Sequence, residues 1–267
     1  MKRTLLAIAV LNVVTVAFNA SASYRLGNAP RERKETIQDK LINSIGASDL
    51  GQVRSILKNP EYKNADANQK GFYQVSPLLF AINGMKATLA FAAHELEGEV
   101  IPQKRKDDVV NGYAIIDELL RYEQKVTAEE FVTAGQVRSV DLMKMLLPYV
   151  SNINMQNTEG MTALMSAAQN ANSVVYNYLL AQPNIDVNIK NNKGDTALTI
   201  AIKKYYLFDG EESFLECIAQ LLKHGAIVDG RVRAIIQDPF AGTRMADAEI
   251  PQEYRDGLLA VFKKQGK

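Results

Sequence analysis

Apolar positions recur along this chain at the three-and-four spacing of helices, in short blocks divided by polar turns. The blocks come in pairs. One member is built on small residues, as in Ala163-Leu164-Met165-Ser166-Ala167-Ala168, and the other ends on a leucine pair, as in Leu179-Leu180. A polar stretch then leads to the next pair. This predicts an all-α chain of helix-turn-helix units.

The clearest pairs are copies of one another. "NTEGMTALMSAAQ" begins at Asn157 and "NNKGDTALTIAIK" at Asn191, with thirty-four positions between Gly160 and Gly194. Ile185-Asp186-Val187-Asn188 leads into the second copy, and Leu221-Leu222 followed by His224-Gly225-Ala226 ends it. Leu146-Leu147, Leu119-Leu120 and Ile56-Leu57 mark earlier second helices. Glycine supplies the positive φ of a tight turn. Thr162 and Thr196 are placed to cap the helices that follow. Ala163, Ala167, Ala168, Ala197 and Ala201 let helices approach closely, and the leucine pairs fill the layer between units. A single pair cannot bury its apolar face, so units must stack.

On these residues the chain resembles the ankyrin repeat, whose period is about 33 residues and whose signature includes Gly-x-Thr-Pro-Leu and Leu-Leu-x-x-Gly-Ala. The resemblance implies an ankyrin-repeat solenoid of about five units over 36–228. Units 157–190 and 191–228 match best. Unit 127–156 keeps the spacing but has Thr127 where the glycine would stand, and units near 36–70 and 71–126 are inferred from their helix ends. Two insertions interrupt the period. One, around 83–110, reads as a helix through "KATLAFAAHELEGEV" and then a charged loop "PQKRKDD"; the other, "YYLFDGEE", lies between the helices of the last good unit. Both a contribution to a binding face and neutral loop drift account for them. Residues 229–267 read as a capping segment with a more polar face.

The N-terminus sets the expected compartment. Lys2 and Arg3 precede an apolar run from Leu5 to Phe18, and Ala20-Ser21-Ala22 offers small residues before a cut. That is the grammar of a secretory signal peptide over 1–22, with a retained membrane anchor as the alternative. An arm over 23–35 follows. The expected location is the periplasm, or the medium, and no further membrane insertion is expected after cleavage. Losing Lys2 and Arg3 takes the formal net charge from +1 to −1, which argues against nucleic acid as a partner. Cys217 is the single cysteine, so no intramolecular disulfide forms. It stands where Val175 stands one unit earlier, a core-facing slot.

Catalytic constellations are incomplete. Ser55-Ile56-Leu57-Lys58 has the Ser-x-x-Lys spacing of penicillin-binding enzymes but no Lys-Thr-Gly partner. His94-Glu95 begins like a zinc-protease helix, yet position 98 is glycine. With His94 and His224 the only histidines, a transition-metal site is poorly supplied. His224 reads as a helix-end hydrogen-bonder. The expectation is a non-enzyme without metal or cofactor.

Binding remains. Aligning the two clear units assigns Thr158, Glu159, Met161, Gln169 and Asn170, and then Asn192, Lys193, Asp195, Lys203 and Lys204, to a concave recognition surface. Tyr205, Tyr206 and Phe208 are the expected aromatic anchors beside it. The chain is similar to the ankyrin self-protection proteins of predatory bacteria, which cap the bacterium's own penicillin-binding-protein-type cell-wall endopeptidases. That resemblance implies a monomeric inhibitor or immunity protein acting on a peptidoglycan hydrolase. A periplasmic helper of a redox enzyme such as catalase, and an effector that binds a host protein, are the alternatives.

Overall fold

The computed structural model describes residues 35–64, 75–95, 103–239 and 251–266. The expected signal peptide over 1–22, and the arm over 23–35 apart from residue 35, lie outside them. Among the described residues the chain is helical, without strands.

A hydroxyl opens each of five first helices. Thr36 precedes α1 (Ile37–Gly46), Ser76 precedes α4 (Pro77–Glu95), Thr127 precedes α6 (Ala128–Ala134), Thr162 precedes α8 (Ala163–Gln169), and Thr196 precedes α10 (Ala197–Leu207). Their side-chain oxygens accept from the amides of Asp39, Leu79, Glu130, Met165 and Thr199 at 3.1–3.4 Å. Each bond satisfies an otherwise orphaned amide of the first turn. Thr127 thus takes the place of the capping threonine, thirty-five residues before Thr162, and not that of the glycine as the sequence alignment had it. Gly160 and Gly194 do adopt the expected positive φ, at 74° and 75°.

The second helices are α2 (Leu50–Lys58), α5 (Gln103–Glu123), α7 (Val140–Leu146), α9 (Ser173–Leu180) and α11 (Glu212–Lys223). A short α3 (Pro60–Asn64) follows α2, and a 3₁₀ turn, Leu147–Tyr149, follows α7. First helices pack on first helices and second on second, so the units form two continuous rows. The terminal helices prolong both: α12 (Gly230–Gln237) lies on α10, and α13 (Gln252–Lys264) on α11. One hydrophobic cluster therefore runs from Ile37 to Phe262. Cys217 lies in it, fully buried, with burial pushing its thiol pKa far up, as befits an inert core residue.

Both insertions serve packing. The first lengthens α4 and α5 into a helical hairpin, and "PQKRKDD" is not a loop from Gln103 onward. Gln103, Lys104, Arg105 and Lys106 are good helix formers, and Gln103 Nε2 donates to Asp107 Oδ1 one turn on at 2.9 Å. The two helices cross where a Cβ on Gly112 would stand 2.3 Å from Met85 Sδ. Asn111 Nδ2 reaches Ser48 O at 3.3 Å, Tyr113 Oη pairs with Ser139 Oγ at 2.6 Å, and Lys86 Nζ donates to Gln136. The hairpin is thereby tied to the units on either side.

The second insertion lengthens α10 and then turns through Phe208–Glu211. Tyr205 and Tyr206, expected as exposed anchors, are only 2% and 5% exposed. Tyr205 meets the edge of Tyr254 on α13 at 6.1 Å between ring centroids, and Tyr206 Oη donates to Ile236 O on α12 at 3.3 Å. They are covered because the terminal helices need something to dock against. Phe208 stays 41% exposed, stacked on Phe214.

One carboxylate is placed at a cost. Glu123, at the C-terminal end of α5 where the helix dipole disfavours negative charge, has a buried Oε1 without a hydrogen-bond partner among the described residues. Burial, then the nearby Glu130, pushes its pKa up to about 8. Glu130 itself is well held, accepting from Thr127 N at 2.7 Å and from Ser76 Oγ. Because the Glu123 pKa is higher folded than unfolded, its full contribution is present below about 4.5 and is lost as pH rises toward 8. Glu123→Gln is therefore expected to raise the melting temperature slightly at pH 5 and much more at pH 9, by up to about 1.4 kcal/mol of relative stability per pH unit in between. A pH-independent difference in a thermal-shift series would count against it.

The two turn glycines are separable. A Cβ on Gly160 would stand 2.5 Å from Asn192 Oδ1 and 2.7 Å from Asn192 N, whereas one on Gly194 would meet only the Arg231 guanidinium, at 3.7 Å. Both alanine variants pay roughly 1 kcal/mol for positive φ. Gly160→Ala is expected to cost at least about 1 kcal/mol more than Gly194→Ala, since steric misfit adds to the backbone term. Urea midpoints of the two variants measure the difference.

Candidate protein-binding surface

Asparagine builds the turn tips. Asn157 Oδ1 accepts from the amides of Glu159 and Met161 at 3.1 and 2.9 Å, and Asn191 Oδ1 accepts from Lys193 and Asp195 at 2.9 Å each. The main chain closes each tip with the same pair of bonds: Met161 O accepts from Asn157 N and Asn157 O from Gly160 N, then Asp195 O from Asn191 N and Asn191 O from Gly194 N. The second tip rests on the first. Asn192 N donates to Glu159 O at 3.1 Å, and Asn192 Nδ2 to Thr158 O at 2.9 Å.

A second ladder of amides ties the approach segments. Asn154 donates to Asn184 O and accepts from Asp186 N; Asn188, thirty-four residues on, donates to Gly225 O and accepts from Ile227 N. Asn172, fully buried, donates to Gly135 O and Val137 O. Sequence reading missed all three, although the repeat spacing of Asn154 and Asn188 was the available signal.

The expected recognition residues divide by environment. Thr158, Glu159, Asn170, Asn192 and Lys193 are exposed, and Gln169, Lys203 and Lys204 are half-buried. Met161 is buried beneath its tip, touched by Asn191 Nδ2 through its sulfur. Asp195 is 6% exposed and committed internally, so it is not a free contact residue. Lys203 Nζ donates to both of its oxygens at 2.8 and 2.9 Å, and Arg231 donates through Nε and Nη2 at 3.2 and 2.8 Å. Burial opposes the Asp195 charge, but the bonds from Lys203 and Arg231 prevail and hold its pKa below the ordinary value. Lys204 Nζ lies 5.5 Å from the centre of the Phe208 ring. His224 Nδ1 meets Gln220 O at 2.8 Å, the helix-end role expected of it.

The surface this leaves is a rigid row of tips whose backbones are bonded inward and whose outward side chains differ from unit to unit. Such a surface binds shape and charge. Asp195→Asn, which removes the charge but keeps the side-chain size, is expected to destabilise the last two units by roughly 1–3 kcal/mol at neutral pH. A carboxylate with a lowered pKa contributes above its ordinary 3.8 and stops contributing as pH falls through the lowered value. The gap between variant and wild-type urea midpoints should therefore close in acid, and a gap that persists there would mean packing, not charge, was lost.

Comparison with known proteins bears on this geometry. A family model described as ankyrin repeats in three copies matches residues 131–232. Among solved structures, the crystal structure of EF0377, an ankyrin repeat protein, superposes with a TM-score of 0.56 at 17% sequence identity, covering 85% of this chain and 98% of that one. The matched span starts within α6 and ends within α12, where the tips and asparagine ladders are most regular. Residues 131–232 carry ankyrin repeats, and the chain folds as an ankyrin-repeat solenoid.

Proposed function

We propose that this chain is an exported protein-binding module that inhibits a cell-wall hydrolase by covering its active site. The binding part of the reading is carried by one observation: the tips at 157–161 and 191–195 are closed by the same pair of backbone bonds, yet present Thr158 and Glu159 in one and Asn192 and Lys193 in the other. A scaffold that holds geometry constant while varying outward chemistry is suited to recognising another macromolecule. Ankyrin repeats suggest the same class of role.

Export rests on the signal-like residues 1–22, and a partner in the same compartment follows from it. The hydrolase, of the penicillin-binding-protein endopeptidase type, comes from the resemblance to self-protection proteins. On this reading the rigid tips press against the rim of the partner's cleft and exclude peptidoglycan sterically, with no chemistry supplied by the module.

The chain from Ser23 onward should lower muropeptide release by the producer's own endopeptidase in proportion to complex formed, and should leave isolated peptidoglycan unchanged. Unaltered release at saturating module would sink the hydrolase assignment.

A further inference from the structure

Between the tip at 191–195 and the start of α12 lies a notch of about 70 Å³, walled by Lys190, Gly194, Thr196, Ile227, Asp229 and Arg231. Its chemistry is lopsided. Lys190 and Arg231 flank it, and Lys203 is joined to it through Asp195. Against these three cations stand two carboxylates, both occupied: Asp195 holds Lys203 and Arg231, while Asp229 Oδ1 accepts from Val232 N at 3.0 Å as the cap of α12.

Two donors are left over. Arg231 is fixed by bonds from Nε to Asp195 and from Nη2 to Asp195 and Lys193 O, with its guanidinium against Gly194, while Nη1 has no partner among the described residues. Among the described residues Lys190 Nζ pairs with Asp229 Oδ2 alone, at 3.4 Å, a long contact for an ammonium and a carboxylate. Beside them Ile227 is 61% exposed, its amide held by Asn188. A pre-positioned guanidinium edge, a weakly engaged ammonium and an open β-branched side chain share one small concavity.

We propose that this notch receives an acidic segment of the partner protein, a glutamate or aspartate carboxylate entering between Lys190 and Arg231 while a neighbouring apolar side chain covers Ile227. The inference rests on the protein-binding reading and adds to it the chemistry of the partner. The order of the Arg231 side chain matters, because it has already lost the rotamer freedom that a surface arginine would otherwise give up on binding. An exposed ion pair alone is worth little, so the apolar contact on Ile227 is needed for affinity. A volume of this size admits the carboxylate head and not an aromatic ring.

The test uses a capped peptide alternating glutamate and leucine, with its glutamine counterpart as control, titrated into the ¹⁵N-labelled protein. The glutamate peptide is expected to shift the amides of Gly194, Ile227 and Arg231. Lys190→Glu combined with Ile227→Asp, two exposed changes whose fold is checked by circular dichroism, should weaken it about tenfold or more, and raising salt should weaken the wild type as well. Equal shifts with the glutamine peptide, shifts centred elsewhere, or no shifts at all would overturn the proposal. The same double variant in the hydrolase assay keeps the two readings apart. Full inhibition by the variant removes the notch and leaves the module reading standing; failure of the wild type removes the hydrolase reading, and the peptide titration then judges the notch alone.

Discussion

A pair of short helices has more apolar surface than one partner can cover, and the rest of this structure follows from that constraint. Each first helix must meet the first helix of the next unit and each second helix its counterpart, which produces two rows and one core from Ile37 to Phe262. Small residues on α8 and α10 allow the rows to close: Ala163, Ala167, Ala168, Ala197 and Ala201 are all buried. The ends of such a stack would lie open, and α12 and α13 cover the last one, held by Tyr206 and Tyr205.

Close stacking brings main chain against main chain, where unpaired amides and carbonyls are expensive. Short side chains answer this locally. Hydroxyls cap the first helices, and asparagines at 154, 157, 188 and 191 saturate the segments between them. Because each tip is closed from within, the side chains of Glu159 and Lys193 are not needed for its main-chain bonds. Lys193 can replace Glu159 without disturbing a backbone bond, and a surface of that kind changes its partner by changing side chains only.

Departures from the repeat length read from the sequence equally as parts of a binding face or as neutral drift, and packing explains much of what they do. The long hairpin of α4 and α5 is tied to Ser48 on one side and to Gln136 and Ser139 on the other. The short insertion clasps the terminal helices. The half-buried Glu123 is the one polar group among these whose placement works against stability, with its Oε1 unpaired among the described residues and its pKa raised to about 8.

The period of thirty-four residues, the glycines at 160 and 194, the capping threonines and the leucine pairs determined the fold from sequence alone, because each acts within one turn or one helix face. Cys217 was legible as core for the same reason: its place in the period named its neighbours. The exposure of the expected recognition residues was legible only in part. Thr158, Glu159, Asn192 and Lys193 stand outward as their turn positions imply. Whether Tyr205 and Tyr206 face solvent, and whether Asp195 is available, depended on α12 and α13 arriving from thirty and more residues away. Local pattern specifies which residues a helix can bury. Which of them it does bury is decided by what docks there, and that is a property of the assembled stack.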